Sequence, residues 1–129
     1  MSSGVTSISE PVARAIAALR ASFEVAFELT GDGGAVVTVH ELEIGERWRP
    51  SVIDLTFEIA FNYPFAAIYP YFGPSGVVRV DGAGEPALQQ VEWRGAARTQ
   101  ISLRANRWNP QIDTAAGAVL QVQDWFQRR

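Results

Sequence analysis

The chain contains no cysteine and no lysine, and it has a single histidine, His40. Without thiols there is no disulfide framework and no redox clue, so stability has to come from an ordinary core. A zinc site of ordinary ligand type needs several Cys or His donors, and His40 alone cannot anchor one. A Ser-His-Asp triad would also have to use His40, and no Gly-x-Ser-x-Gly elbow is present. Phosphate-binding glycine loops are missing too, because Gly31–Gly34 is short and joins two expected strands rather than a strand and a helix. No motif therefore implies a cofactor or a metal. No apolar run approaches the ~20 residues of a membrane span. Met1–Thr6 lacks the charged and apolar regions of a secretory leader, so a cytoplasmic protein is expected. The net charge of −3 is small, and its sign disfavours nucleic acid and anionic membranes as partners. All 11 basic residues are arginine. Coding bias in a GC-rich genome accounts for that; the functional alternative is avoidance of self-modification at lysine amines.

What is present is a globular composition, 47% apolar over 129 residues. That length predicts one domain, 1–129, burying roughly two-thirds of its unfolded surface, with 1–7 frayed. Ser7 and Glu10 have capping-box spacing, with Ser9 as a competing N-cap and Pro11 in the first turn. Ile8, Val12, Ile16, Leu19 and Phe23 recur at spacings of three and four, which predicts a helix over 10–21. Phe23, Val25, Phe27 and Leu29 alternate with polar or small residues as a half-buried strand. A glycine turn leads to a valine-rich second strand over 35–44, where His40 shares parity with Thr38 and Leu42 as a surface residue. After a polar loop at 45–51, Leu55, Phe57, Ile59 and Phe61 alternate as a third strand.

Segment 63–74 holds three prolines and five aromatics, which predicts an ordered turn and at most an edge strand near 68–72. Val77–Val80 is a short strand, 87–93 is open between helix and strand, and 94–106 is irregular. Asp113 or Thr114 caps a last helix with a stripe of Ala115, Val119, Val122 and Phe126, flanked by Ala118 and Trp125. The expected fold is α+β: an N-terminal helix, an antiparallel meander sheet of about four strands, an aromatic turn, an irregular crossing and a C-terminal helix. The carboxylates are scattered; Glu24 with Glu28, and Glu41 with Glu43, share strand faces as solvated sheets commonly do. Arg104 and Arg107, near Trp108, form either a hold for an acidic partner or a solvated loop.

Two segments carry further information. One is the strand that ends in Tyr63-Pro64-Phe65; the other is Trp108-Asn109-Pro110, just before the helix start at Asp113-Thr114. With the element order around them, they resemble the ubiquitin-conjugating enzyme fold. That family commonly shows a strand ending in Tyr-Pro-Phe and, later, Trp-Ser-Pro before a capped helix. The resemblance covers roughly Pro11 to the C-terminus. It implies that Tyr63, Pro64 and Trp108 are structural. It also implies that Phe65 and the Asn109–Pro110 loop form a ligase-binding surface, with the first helix facing the activating enzyme.

The departures fall on the reacting centre. The family's cysteine lies eight residues before its tryptophan, which here is Gln100, with Thr99 and Ser102 nearby. The family's His-Pro-Asn element has no counterpart, and Arg94-Gly95-Ala96-Ala97 occupies that region. The compact form is more similar to divergent bacterial relatives, or to the cysteine-less variant and RWD branches. A thiol is a few per cent thiolate at neutral pH, whereas a glutamine amide is no nucleophile and a serine needs an activating base. Thioester chemistry is excluded.

Three readings result. The first is a non-catalytic ubiquitin-conjugating-like module in a bacterial ubiquitin-like pathway, its partner a ubiquitin-like protein, an activating enzyme or a ligase. The second is an enzyme that carries a ubiquitin-like protein on Ser102 as an oxyester. The third is an α+β adaptor or immunity-type protein that binds its partner through the aromatic segment Tyr69–Phe72.

Overall fold

A computed structural model describes residues 8–103 and 108–129. The expected frayed start, the Ser7 half of the capping box and the Arg104/Arg107 pair lie outside the described residues. Helix α1 (Glu10–Arg20) begins at Ser9, whose carbonyl accepts from the Ala13 N–H at 3.0 Å. The Ser9 side chain makes no capping bond; its backbone N–H instead donates to the Gly33 carbonyl at 2.9 Å. Val12, Ile16 and Leu19 are buried, as their spacing predicts, with Ala15 buried beside them.

The strands follow as β1 (Glu24–Leu29), β2 (Ala35–Glu43), β3 (Trp48–Arg49), β4 (Val52–Ile59), β5 (Tyr71–Pro74), β6 (Val78–Arg79), β7 (Leu88–Trp93) and β8 (Ala96–Ile101). Helix α2 (Ala115–Arg128) closes the chain. Six strands make the main sheet in the order β1-β2-β4-β5-β8-β7, every neighbouring pair antiparallel, and β3 pairs with β6 apart from it. One core joins α1 and α2 to a single face of the sheet through Leu19, Val37, Leu55, Phe57, Val119 and Phe126, all buried. A two-sided sheet needs an apolar layer on at least one face, and the two amphipathic helices supply it. The protein is thus α+β, with a helix at each end of the described chain and an antiparallel sheet between them. Among the described residues no helix is long and apolar enough to cross a membrane.

Several expectations need correction. The main sheet has six strands, not about four, because 87–93, left open between helix and strand, holds β7, and the stretch expected to be irregular from 94 on holds β8. The turn of this β7–β8 hairpin is Arg94-Gly95, with φ of +52° and +80°, and Trp93 opposite Ala96. That is the two-residue geometry usually signalled by Asn-Gly or Asp-Gly, and an arginine in the first place hides it. The expected edge strand near 68–72 is β5, shifted to 71–74 and lying inside the sheet between β4 and β8. Pro70 stands before it and Pro74 at its end, where a missing N–H does not interrupt the ladder. The expected parity of His40 with Leu42 fails, because the β2–β4 register slips between Val39 and Leu42 and Glu41 adopts φ +56°. This bulge turns Leu42 into the core (1% exposed) and leaves His40 on the open face. Phe27 is 41% exposed rather than core, because β1 is an edge strand. The Arg20 guanidinium lies 5.2 Å from the Phe27 ring.

Besides its backbone ladder, the hairpin is tied to the turn after β5 by one buried hydroxyl. Thr99 Oγ1 accepts from the Val77 N–H at 3.1 Å and from Gln90 Nε2 at 3.0 Å, and it donates to the Pro74 carbonyl at 2.8 Å. That uses the one donor and two acceptor positions of a threonine. Gln90 extends the network by accepting the Gly76 N–H on Oε1 at 2.9 Å.

Thr99→Val keeps the shape and removes the hydroxyl from three partners, so it should cost about 2–3 kcal/mol in urea unfolding, while Thr99→Ser should cost less than half as much. Equal stability of Thr99→Val and the parent would show that the network is dispensable. A second expectation concerns alkaline pH. Burial pushes the Tyr71 phenol up from 10.0 to about 12. A raised folded pKa means that stability is intact below pH 10 and is lost as pH rises towards 12, because the unfolded chain ionises first. The chain has no lysine to titrate in that window. Between pH 8 and pH 11 the parent should lose about 1.4 kcal/mol more than Tyr71→Phe. Parallel pH profiles for the two proteins would contradict this.

Candidate functional site

Two loops meet beside the N-terminus of α2. After β4 the chain makes consecutive tight turns: the Tyr63 N–H donates to the Ala60 carbonyl at 2.9 Å, and the Phe65 N–H to the Asn62 carbonyl at 2.9 Å. Tyr63 is buried, and its hydroxyl accepts the N–H of Ala115, the first residue of α2, at 3.0 Å. Thr114 is the N-cap, its Oγ1 accepting from the Gly117 N–H at 3.0 Å. Two of the four N–H groups that a helix start leaves unpaired are thereby satisfied by side chains.

The second loop is built on Trp108 and Asn109. Trp108 Nε1 donates to the Pro64 carbonyl at 2.6 Å, and its ring lies 6.3 Å from that of Tyr63. Asp113 Oδ2 accepts the Asn109 N–H at 2.6 Å, and Asn109 Oδ1 accepts the Gln111 N–H at 2.9 Å. The Asn109 carbonyl takes the N–H groups of Ile112 (3.0 Å) and Asp113 (2.7 Å). The loop is therefore closed on itself and stapled to the Tyr63–Phe65 turn by one indole.

The structure thus brings together Tyr63, Pro64 and Trp108, and with them the turn of Phe65 and the loop of Asn109 and Pro110. Phe65 stands 77% exposed, Asn109 is exposed and Pro110 half-buried, with Phe61 (56%) and Ile112 (73%) exposed on the same two loops. Trp108 is half-buried against the core. Gln100 and Ser102 lie elsewhere, on and just after β8. Gln100 Nε2 donates to Ser102 Oγ at 3.1 Å, and the Ser102 N–H donates to the Ala87 carbonyl at 2.8 Å. A neutral amide cannot take the serine proton, and no histidine or carboxylate is hydrogen-bonded to Ser102 Oγ among the described residues.

His40 is engaged elsewhere, its Nδ1 lying 3.1 Å from Asp54 Oδ2. Partial burial pushes the Asp54 carboxyl up, but the Glu41 N–H on Oδ1 (3.0 Å) and the His40 ring outweigh it, so the net shift is downward. This pair anchors the bulge in β2. Of the aromatic segment in the third reading, Tyr71 and Phe72 are buried and only Tyr69 reaches the surface. Among the described residues no cluster of three or more His, Asp or Glu is placed to hold a metal ion.

The sequence pattern left Trp93, Arg94 and Arg98 without a role. The hairpin tip curls over the open face of the sheet, where Trp93 stacks on Phe72 with centroids 4.1 Å apart and an 11° tilt. Arg94 Nη2 lies 3.4 Å from Glu28 Oε1, linking the tip of the far hairpin to the opposite edge strand. Only Thr56 and Phe72 pair between β4 and β5, and that single pair lets the sheet bend there. An open groove of about 310 Å³ lies between the hairpin and β1, β2 and β4. The available signal was a tryptophan and two arginines gathered around Gly95.

No protein-family model matches this chain, and neither does any curated protein or solved structure.

The two rings of the site should respond differently to truncation. Trp108→Ala removes half-buried packing and the bond to Pro64, and should cost about 2–3 kcal/mol by denaturant unfolding. Phe65→Ala should stay within about 0.5 kcal/mol of the parent. Similar large losses in both would place Phe65 in the core and remove it as a contact residue.

Proposed function

We propose that this chain is a non-catalytic protein-binding module of ubiquitin-conjugating-like type, docking a protein partner through Phe65 and the Asn109–Pro110 loop. The observation that carries the reading is the 77% exposed Phe65 ring, on a turn that Trp108 holds from below through the Pro64 carbonyl. A large ring held in water gains by burial in a partner, and a pre-ordered turn loses little entropy when it docks. The loops around it supply unreactive contact chemistry: an apolar ring, a proline and an asparagine already closed on its own backbone. The bound partner belongs to the ubiquitin-like conjugation machinery, as the Tyr63-Pro64-Phe65 and Trp108-x-Pro110 resemblance implies, and no group is transferred. The absent thiol and the neutral surroundings of Ser102 support the non-catalytic half of the reading.

The test is a comparison of captured proteins. The full chain, Phe65→Ala and Phe27→Ala are immobilised and exposed to a ubiquitin-like protein, its activating enzyme and its ligase from one bacterial conjugation operon. The parent and Phe27→Ala should retain the same component, and Phe65→Ala should lose at least about tenfold in affinity, the effect of 1.4 kcal/mol. Retention of that component by Phe65→Ala at parental affinity removes the surface. Formation of a hydroxide-labile adduct that disappears in Ser102→Ala removes the non-catalytic reading.

A further inference from the structure

We propose that the groove under the β7–β8 hairpin binds a small organic monocarboxylate, with the Arg98 guanidinium holding its carboxylate. The proposal rests on residues separate from the Phe65 surface. Arg98 is half-buried, its guanidinium carbon 5.9 Å from the centroid of the Trp93 ring, and it forms no ion pair among the described residues. A half-buried guanidinium with no counter-ion among the described residues keeps its donors available to an anion. Its planar fork fits the two oxygens of a carboxylate in bidentate fashion.

The charge balance selects a monoanion. Glu28 and Arg94 neutralise each other across the groove at 3.4 Å, which leaves Arg98 as its net charge. A phosphate dianion would carry an excess negative charge beside Glu28; a single carboxylate would not. The floor fits the rest of such a molecule. Thr38 and Thr56 share one hydrogen bond at 3.1 Å between their hydroxyls and keep further capacity for a polar substituent. Ala26 and Val36 add apolar surface on the same side. The groove of about 310 Å³ has the volume of about ten water molecules, which suits a ligand with on the order of ten heavy atoms.

The groove also has a reason to be rigid. Trp93, which carries Arg98 beside its ring, is fixed by the stack on Phe72, and β8 is fixed by the Thr99 hydroxyl network. A pre-formed cation over a hydroxyl-bearing floor differs from a flexible surface arginine, whose ion pairs are worth little.

Sodium benzoate is the probe, with benzyl alcohol as its uncharged counterpart and inorganic phosphate as the dianion. The nitrogen-15-labelled full chain is titrated with each, and the Trp93 indole N–H and the Thr38 and Thr56 amides are followed by NMR. Benzoate should give saturable shifts at these signals, and benzyl alcohol and phosphate should bind at least about tenfold more weakly. Arg98→Gln should lower benzoate affinity at least about tenfold, the lower range for a charge-assisted hydrogen bond. Arg98→Lys keeps the charge but not the fork, and should also weaken binding; Arg20→Gln should change nothing. Absence of saturable shifts with benzoate overturns the proposal. So does phosphate binding as tightly as benzoate, or undiminished benzoate binding in both Arg98 variants.

Discussion

The hydroxyl of Thr99 is the interaction on which the placement of the far half of the sheet depends. It is fully buried and saturated, joining the end of β5 at Pro74, the following turn at Val77 and strand β7 at Gln90. Each of these segments is otherwise joined to the others through β8, which pairs with β5 at four positions and with β7 at six. β5 is four residues long and meets β4 at one register pair, while β7 is an edge strand. A buried polar group is costly when unpaired, so this network favours a single arrangement of the hairpin over its alternatives. Once β8 is set, the hairpin tip falls over the open face of the sheet, and Trp93 covers Phe72, which is only 4% exposed although it faces away from the helices. The curl gives that face a partial cover, and the groove is what the cover leaves open.

Helix α2 is held by a related device at both ends. At its start the Tyr63 hydroxyl accepts the Ala115 N–H, and at its end Trp48 Nε1 donates to the Phe126 carbonyl at 2.9 Å. The Ala115 N–H has no partner within the helix, and the Phe126 carbonyl otherwise takes only the Arg129 N–H at 3.3 Å. Trp48 is 2% exposed and makes an edge contact with Phe126 at 4.9 Å, so the same side chain supplies packing and a hydrogen bond. Gln123 and Gln127 both donate to the Glu43 carbonyl at 3.1 Å, adding a tie to the end of β2. The Tyr63 turn thus serves two loops and a helix at once, and for this reason Phe65 beside it can be exposed without being loose.

Much of the local structure was legible because it obeys one period at a time. The stripes of α1 and α2 and the alternation of β4 are simple repeats, and Thr114 caps where its residue type predicts. The failures share a physical cause: each depends on a partner that no local window contains. The bulge at Glu41 is held by Asp54, a residue on the neighbouring strand, so parity carried past Val39 points Leu42 the wrong way. β5 was hidden by its flanking prolines, and the β7–β8 hairpin by an arginine where turns usually show asparagine or aspartate. The exposed Phe27 looks like any alternating core residue until β1 is known to be an edge. For the candidate sites the division is similar. Phe65, Trp108 and Asn109 stood out through motif spacing, whereas the Arg98 groove arises from the meeting of opposite sheet edges.

The chemistry available to this chain follows from how its polar groups are occupied. Its one histidine contacts an aspartate at the bulge, and Ser102 is bonded to the neutral amide of Gln100. Nucleophilic catalysis needs a base within reach of the attacking atom, and among the described residues the Ser102 hydroxyl is bonded only to the Gln100 amide. Two groups are of another kind: a phenyl ring in water on a stapled turn, and a half-buried guanidinium without a counter-ion among the described residues. Both are features whose free energy falls on contact with something else, one by apolar burial and the other by charge pairing. They lie on different parts of the fold and rest on separate hydrogen-bond networks, the first on Trp108 and Tyr63, the second on Thr99 and Gln90. Sites separated in this way are expected to respond additively to substitution. Occupation of the groove should then leave the Phe65 surface free to act on its own.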